Sequence, residues 1–221
     1  LAAAGLEPAS VIGHSVGEIA AAYVAGILSV QDAVHIIRTY SQALGRLDGR
    51  GAMALVSADA ETLKRQLVEL DRKVSIAAIN GPQSTVLSGN AADVAQVVST
   101  LSENGIECHL VRADMAAHSE QINELETEMM ASLGRITPMR GLTPFLSTMT
   151  TREERTLDAR YWFRQLREPV AFAATVEYAL KSGINCFVEI GPHPIHMRDI
   201  EATIAACSSR SGGPGSIASS S

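Results

Sequence analysis

The spacing of apolar positions changes several times along the chain, and each change marks an element. ASVIG (9–13) is a short apolar run closed by a glycine, the pattern of a buried strand. Val16 to Ala25 is Ala-rich and stops at Gly26, which predicts a helix. A second helix enters at Ser29 as its N-cap and carries Ala33, Ile36, Ile37 and Leu44 at helical spacing. The middle alternates faster. AMALVS (52–57), VSIAAING (74–81), STVLSG (84–89) and IECHLVR (106–112) read as strands. Between them Ala60–Leu70 and Ala91–Asn104 read as helices, the latter stopped by Gly105. That β-α-β-β-α-β order is the split pattern of a ferredoxin-like subdomain. Beyond it come a helix from Ser119 to Leu133, a Pro-punctuated strand TPFLSTMT, a helix from Val170 to Ser182 and a buried strand NCFVEIG (185–191). The tail ACSSRSGGPGSIASSS is low-complexity, the composition of a frayed end.

The organisation expected is an α/β body from residues 1–50 and 117–200, an α+β insert at 51–116, and a frayed tail at 201–221. Composition narrows the class. Aromatic residues are 4% of the 221, so Ala, Val, Ile and Leu must build the core, which favours helix-rich layering over a β-sandwich. A net charge of −6 offers no surplus to neutralise phosphates and argues against nucleic acid. No apolar run is long enough for a membrane span, and the N-terminal residues lack a secretory pattern. Cys108, Cys186 and Cys207 are an odd, scattered set without metal-ligand spacing, so no metal site is expected and a reducing cytoplasm is the expected compartment.

The chemistry concentrates in Gly13-His14-Ser15-Val16-Gly17, between a predicted strand and a predicted helix. A serine at such an elbow is pushed out of the sheet, with glycines on either side relieving the tight backbone, and its hydroxyl sits where free helix N–H groups stabilise an oxyanion. Such a serine needs a base. His14 adjoins it, but neighbouring side chains at a tight turn diverge. His35, His109 and His196 read as structural. His118, in ADMAAHS, lies where the insert returns the chain to the body, and His193 follows the last strand; spacing does not separate these two.

GHSVGEIAAAYVAGILS (13–29), AAINGPQSTVLSG (77–89), DMAAHS (114–119), YWFRQLREPVAF (161–172) and FVEIGPHP (187–194) occur in an order that resembles the acyltransferase domain of type I polyketide synthases, relatives of malonyl-CoA:ACP transacylases. The resemblance implies an α/β-hydrolase-like body with a ferredoxin-like insert. It implies that Ser15 carries the acyl group as an ester and that His118 is the base. A backbone carbonyl, that of Glu168, would orient the base, and the Val16 N–H would donate to the oxyanion. It places His14, Tyr40, Asn80, Met115 and Ala117 on the substrate side. The implied substrate is an acyl-CoA, with no bound cofactor, and the acceptor is the phosphopantetheine thiol of an acyl carrier protein. The ketosynthase and other domains of one polypeptide would be further partners. The family begins earlier, with a strand and a GQG loop, so the chain reads as an internal fragment of a longer multienzyme.

Two positions depart from the family's extender-loading members. Where they hold a carboxylate-binding arginine, this chain has Tyr40, which cannot offer a bidentate charged fork. Arg38 lies two residues away, on roughly the opposite helix face. The resemblance therefore points to an uncharged starter acyl group, with a methylmalonyl or malonyl extender transferase, or a hydrolase of stalled chains, as alternatives. The four residues ending at the base, Met115-Ala116-Ala117-His118, are closer to the methylmalonyl pattern, Ala117 leaving room for a substituent on the acyl α-carbon.

Overall fold

A computed structural model describes residues 5 and 7–211. In chain order the elements are β1 (Val11–Ile12), α1 (Gly17–Val24), α2 (Val30–Leu44), β2 (Gly51–Val56), α3 (Ala60–Leu70), β3 (Val74–Gly81), β4 (Ser84–Asn90), α4 (Ala91–Glu103), β5 (Cys108–Leu110), α5 (Glu126–Leu133), β6 (Phe145–Ser147), β7 (Arg152–Glu154), α6 (Ala159–Arg167), α7 (Phe172–Lys181) and α8 (Met197–Ser211). The fold is α/β. β1 pairs in parallel with β6, and β7 closes a three-stranded sheet on its far side. The second sheet has four strands in the order β3-β4-β2-β5, all antiparallel, which is the ferredoxin-like arrangement of a split βαβ unit.

Local chemistry accounts for the boundaries. Ser29 Oγ accepts from the Asp32 N–H at 3.0 Å to open α2, and Gly26, at φ 78°, lets the chain leave α1. Asp59, Asn90 and Asp158 cap α3, α4 and α6 in the same way. The body core joins α1 and α2 to α5, α6 and β6 through Ile19, Ile36, Leu133, Phe145 and the fully buried Trp162. The insert has its own core of Val56, Leu63, Leu87, Val97 and Leu101. The two are not independent. A third cluster packs Ala78 of β3 against Val170, Phe172, Val176 and Ile200, and the Val170 N–H donates to the Ala77 carbonyl while its own carbonyl accepts from Ile79.

Several elements differ from expectation. The segment 185–191 is not a strand: β1 stands at the edge of its sheet, no described strand pairs with the segment, and Val188 and Ile190 are 60% and 73% exposed. An apolar run without a ladder partner cannot hold a buried extended form. The tail is not frayed from residue 201. Met197, Ile200 and Ile204 fall at helical spacing, and their shared face packs α8 on α7 and β3, with the helix running to residue 211; residues 212–221 lie outside the described part. The helix expected from Ser119 opens instead as a 3-10 stretch, Glu120–Leu125. Val170 bridges to Ala78 before α7 begins, and α6 and β7 are additional to the elements the sequence pattern predicts. Among the described residues, no helix is long and apolar enough to cross a membrane.

The start of β2 fixes the segment that leads to His118. The Gly51 N–H donates to the Asp114 carbonyl at 3.2 Å, and a Cβ at Gly51 would lie 2.3 Å from the Ala116 nitrogen. Gly51→Ala is expected to destabilise the fold by about 1–3 kcal/mol and to displace residues 114–118. Chemical denaturation reads the first effect. Amide chemical shifts of residues 114–118 read the second.

Candidate active site

Ser15 follows β1 and precedes α1, and it stands at φ 51°. That left-handed conformation costs a non-glycine residue about 1–2 kcal/mol and is kept only where surroundings impose it. Of the two flanking glycines only one is sterically required. A Cβ on Gly13 would lie 2.2 Å from the Glu18 backbone, whereas one on Gly17 would meet nothing within 4 Å. The elbow is anchored by Glu18, fully buried in the first turn of α1. Its carboxylate accepts from the Thr148 N–H and hydroxyl at 2.6 and 2.7 Å and from the Tyr161 hydroxyl at 2.8 Å, and burial raises its pKa. Sequence reasoning missed this residue. Its signal was an acid in the first turn of an otherwise apolar helix.

His118 also has a positive φ, 56°, and is 3% exposed. Its Nε2 lies 2.7 Å from Ser15 Oγ, and its Nδ1 lies 2.8 Å from the Glu168 carbonyl oxygen. A carbonyl only accepts, so Nδ1 carries the proton and the Nε2 lone pair faces the serine hydroxyl. Glu168 ends α6 ahead of Pro169, which holds it extended, at φ −89° and ψ 160°. Its carbonyl is thereby turned out of the helix, while its carboxylate pairs outward with Arg164 at 2.6 Å. The His118 N–H donates to the Leu166 carbonyl at 2.9 Å, two residues before Glu168. Burial lowers the His118 pKa from 6.5, partly offset by its backbone hydrogen bonds, so the ring is a neutral base at pH 7.

The other candidates fall elsewhere. His193 is exposed, and His35 and His109 pair with Ser132 and Glu107. His14 Nε2 donates to Asn80 Oδ1 at 2.8 Å, and its ring stacks on His196 with centroids 4.1 Å apart. Burial, then His196, pushes the His14 pKa down to about 4. His14 and Asn80 thus hold each other through one nitrogen of the ring and the amide oxygen. The Val16 N–H has no protein acceptor among the described residues, as an oxyanion donor requires.

A cavity of about 510 Å³ opens between Val16 and Met115. Ile19, Ile37, Leu44 and the Tyr40 ring line it, and its charged wall residue is Asp48. Arg38 is exposed and does not line it, and Ala117 packs against the body core. Tyr40 corrects expectation in one respect. It is 2% exposed, and its one hydroxyl proton points into the protein, shared between the Trp162 carbonyl at 2.5 Å and Gln165 Oε1 at 2.9 Å, so only its ring faces the cavity.

A neutral histidine aimed at a serine hydroxyl, oriented by the main chain with no acid behind it, is fit for nucleophilic acyl transfer through a serine ester. The chain belongs to the acyl transferase domain family, whose model matches residues 1–213, and it is an acyltransferase. It is 40% identical over 205 residues to the polyketide synthase GfsB of Streptomyces halstedii, covering 91% of this chain and 4% of that protein. It is 37% identical over 201 residues to the erythronolide synthase EryA2 of Saccharopolyspora erythraea, covering 90% and 6%. The chain therefore spans a small fraction of these curated relatives. Among solved structures, the acyltransferase domain from module 8 of the salinomycin polyketide synthase superposes with TM-score 0.90 at 37% identity, covering 93% of this chain and 49% of that one. A loading acyltransferase from the avermectin modular polyketide synthase gives TM-score 0.90 at 34% identity, covering 93% and 67%.

Because burial lowers the His118 pKa from 6.5, the acidic limb of Ser15 acylation should have its midpoint below pH 6.5. The pH profile of acylation under single-turnover conditions checks this. The elbow geometry sets a paired expectation: Gly13→Ala abolishes acylation, while Gly17→Ala retains it within about threefold, a cost under 1 kcal/mol. Intact-mass kinetics of both variants test the contrast.

Proposed function

We propose that the protein transfers an acyl group from acyl-CoA, through an ester on Ser15, to the phosphopantetheine thiol of an acyl carrier protein within a polyketide synthase. His118 Nε2 takes the hydroxyl proton as Ser15 Oγ attacks the thioester carbonyl. The Val16 N–H faces the oxygen on which charge develops. The carbon–sulfur bond then breaks, and the imidazolium returns its proton to the departing CoA thiolate. The second half runs in reverse. His118 deprotonates the carrier thiol, which attacks the ester, and Ser15 leaves with the proton. The observation that carries this reading is the 2.7 Å contact between Ser15 Oγ and the unprotonated nitrogen of His118.

The acyl group in this reading is uncharged. The cavity beside Ser15 is walled by Val16, Ile19, Ile37, Leu44 and Met115, and the charged group on its wall is the Asp48 carboxylate. A malonyl or methylmalonyl carboxylate would meet a like charge there and no cation to offset its desolvation. A loading acyltransferase is among the structures this chain resembles, which supports that reading.

The test is intact-mass analysis of the protein mixed with acetyl-, propionyl-, branched acyl-, malonyl- and methylmalonyl-CoA, with Ser15→Ala as the blank. Uncharged adducts at least tenfold faster than the dicarboxylic ones are expected. Ready labelling by malonyl- or methylmalonyl-CoA would favour an extender transferase. Adducts that release free acid instead of reaching a carrier protein would favour an editing hydrolase.

A further inference from the structure

Ser15 could not hold its φ of 51° on its own preference, so its carbonyl is where the structure must grip it. That carbonyl accepts the Glu18 N–H at 2.9 Å, which belongs to the elbow itself, and Gln165 Nε2 at 2.8 Å, which comes from α6. Gln165 is 3% exposed. A carboxamide can present either end to a partner, but the Ser15 carbonyl takes only an N–H donor. The other end is fixed by Tyr40, whose single hydroxyl proton is shared between Gln165 Oε1 at 2.9 Å and the nearer Trp162 carbonyl of the same helix at 2.5 Å. Both side chains are buried, so losing the Tyr40 hydroxyl leaves Oε1 without a donor and without water.

We propose that Tyr40 is a positioning residue for the nucleophile, acting through Gln165. Its hydroxyl sets the orientation of the Gln165 amide, and that amide holds the Ser15 carbonyl so that Oγ points at His118. The residue that lies where extender-loading relatives hold an arginine thus serves the nucleophile with its polar end and the cavity with its ring. The inference rests on Ser15 being the acylated residue, but its test need not use an acyl-CoA.

The experiment compares wild type, Tyr40→Phe, Gln165→Met and the double variant for the rate of Ser15 modification by a fluorophosphonate, read by intact mass, alongside acylation by propionyl-CoA. Thermal unfolding of each variant establishes that it is folded. Tyr40→Phe keeps the ring and should slow fluorophosphonate labelling about tenfold, with the acidic limb of the pH profile unmoved because His118 is untouched. For acylation the maximal rate should fall by the same factor, with the half-saturating concentration within about twofold. The double variant should be no slower than Gln165→Met, because the proposal routes the hydroxyl's effect on Ser15 through that amide. Labelling of Tyr40→Phe at the wild-type rate, or multiplicative losses in the double variant, would overturn the proposal. Wild type that takes the fluorophosphonate but no acyl-CoA would strike the transferase reading, and the variant rates would still decide the role of Tyr40.

Discussion

One short stretch of chain, the last turn of α6, holds both members of the Ser15–His118 pair. From it the Leu166 carbonyl takes the His118 N–H, the Glu168 carbonyl takes His118 Nδ1–H, and the Gln165 amide holds the Ser15 carbonyl. The two side chains come from distant parts of the chain, and both sit in left-handed backbone conformations that their own preferences oppose. A common support converts that strain into a fixed distance. Without it, neither the 2.7 Å contact nor the tautomer of the base would be determined.

Much of the remaining architecture serves to keep α6 in place. Asp158 caps it, Trp162 fills the body core beneath it, and Pro169 ends it with the carbonyl turned outward. Chain leaving α6 at once pairs Val170 with Ala77 and Ile79, so the insert sheet is bonded to the same helix end. Through that sheet Asn80 reaches His14, beside the nucleophile. The insert is therefore part of the site's scaffold. Glu18 secures the other side, tying the start of α1 to Thr148 beyond β6.

The parts of this arrangement legible in the sequence are those with local signals. Caps at Ser29, stops at Gly26 and Gly105, and the alternation of 52–57, 74–81 and 84–89 follow from periods and dihedral needs that neighbours alone impose. The GHSVG elbow is local too, although only Gly13 is sterically required. What was not legible depends on distant partners. Separating His118 from His193 needed a resemblance or the fold, since nothing near either histidine says which faces Ser15. Gln165 and Glu18 act through hydrogen bonds 150 and 130 residues away, and no periodicity reports such contacts. Composition misjudged the two ends of the last segment. NCFVEIG has the residues of a strand but no described partner, while α8 looks like a tail until its Met197, Ile200 and Ile204 face meets β3 and α7.

The Glu168 carbonyl fixes the His118 tautomer, and burial keeps the ring neutral. Nitrogen-15 NMR of the protein labelled at histidine reads both directly, with His118→Gln used to assign the signal. A neutral ring protonated on Nδ1 at pH 7, with its titration midpoint below 6.5, is the expected result. An imidazolium at pH 7, or a neutral ring protonated on Nε2, would contradict it.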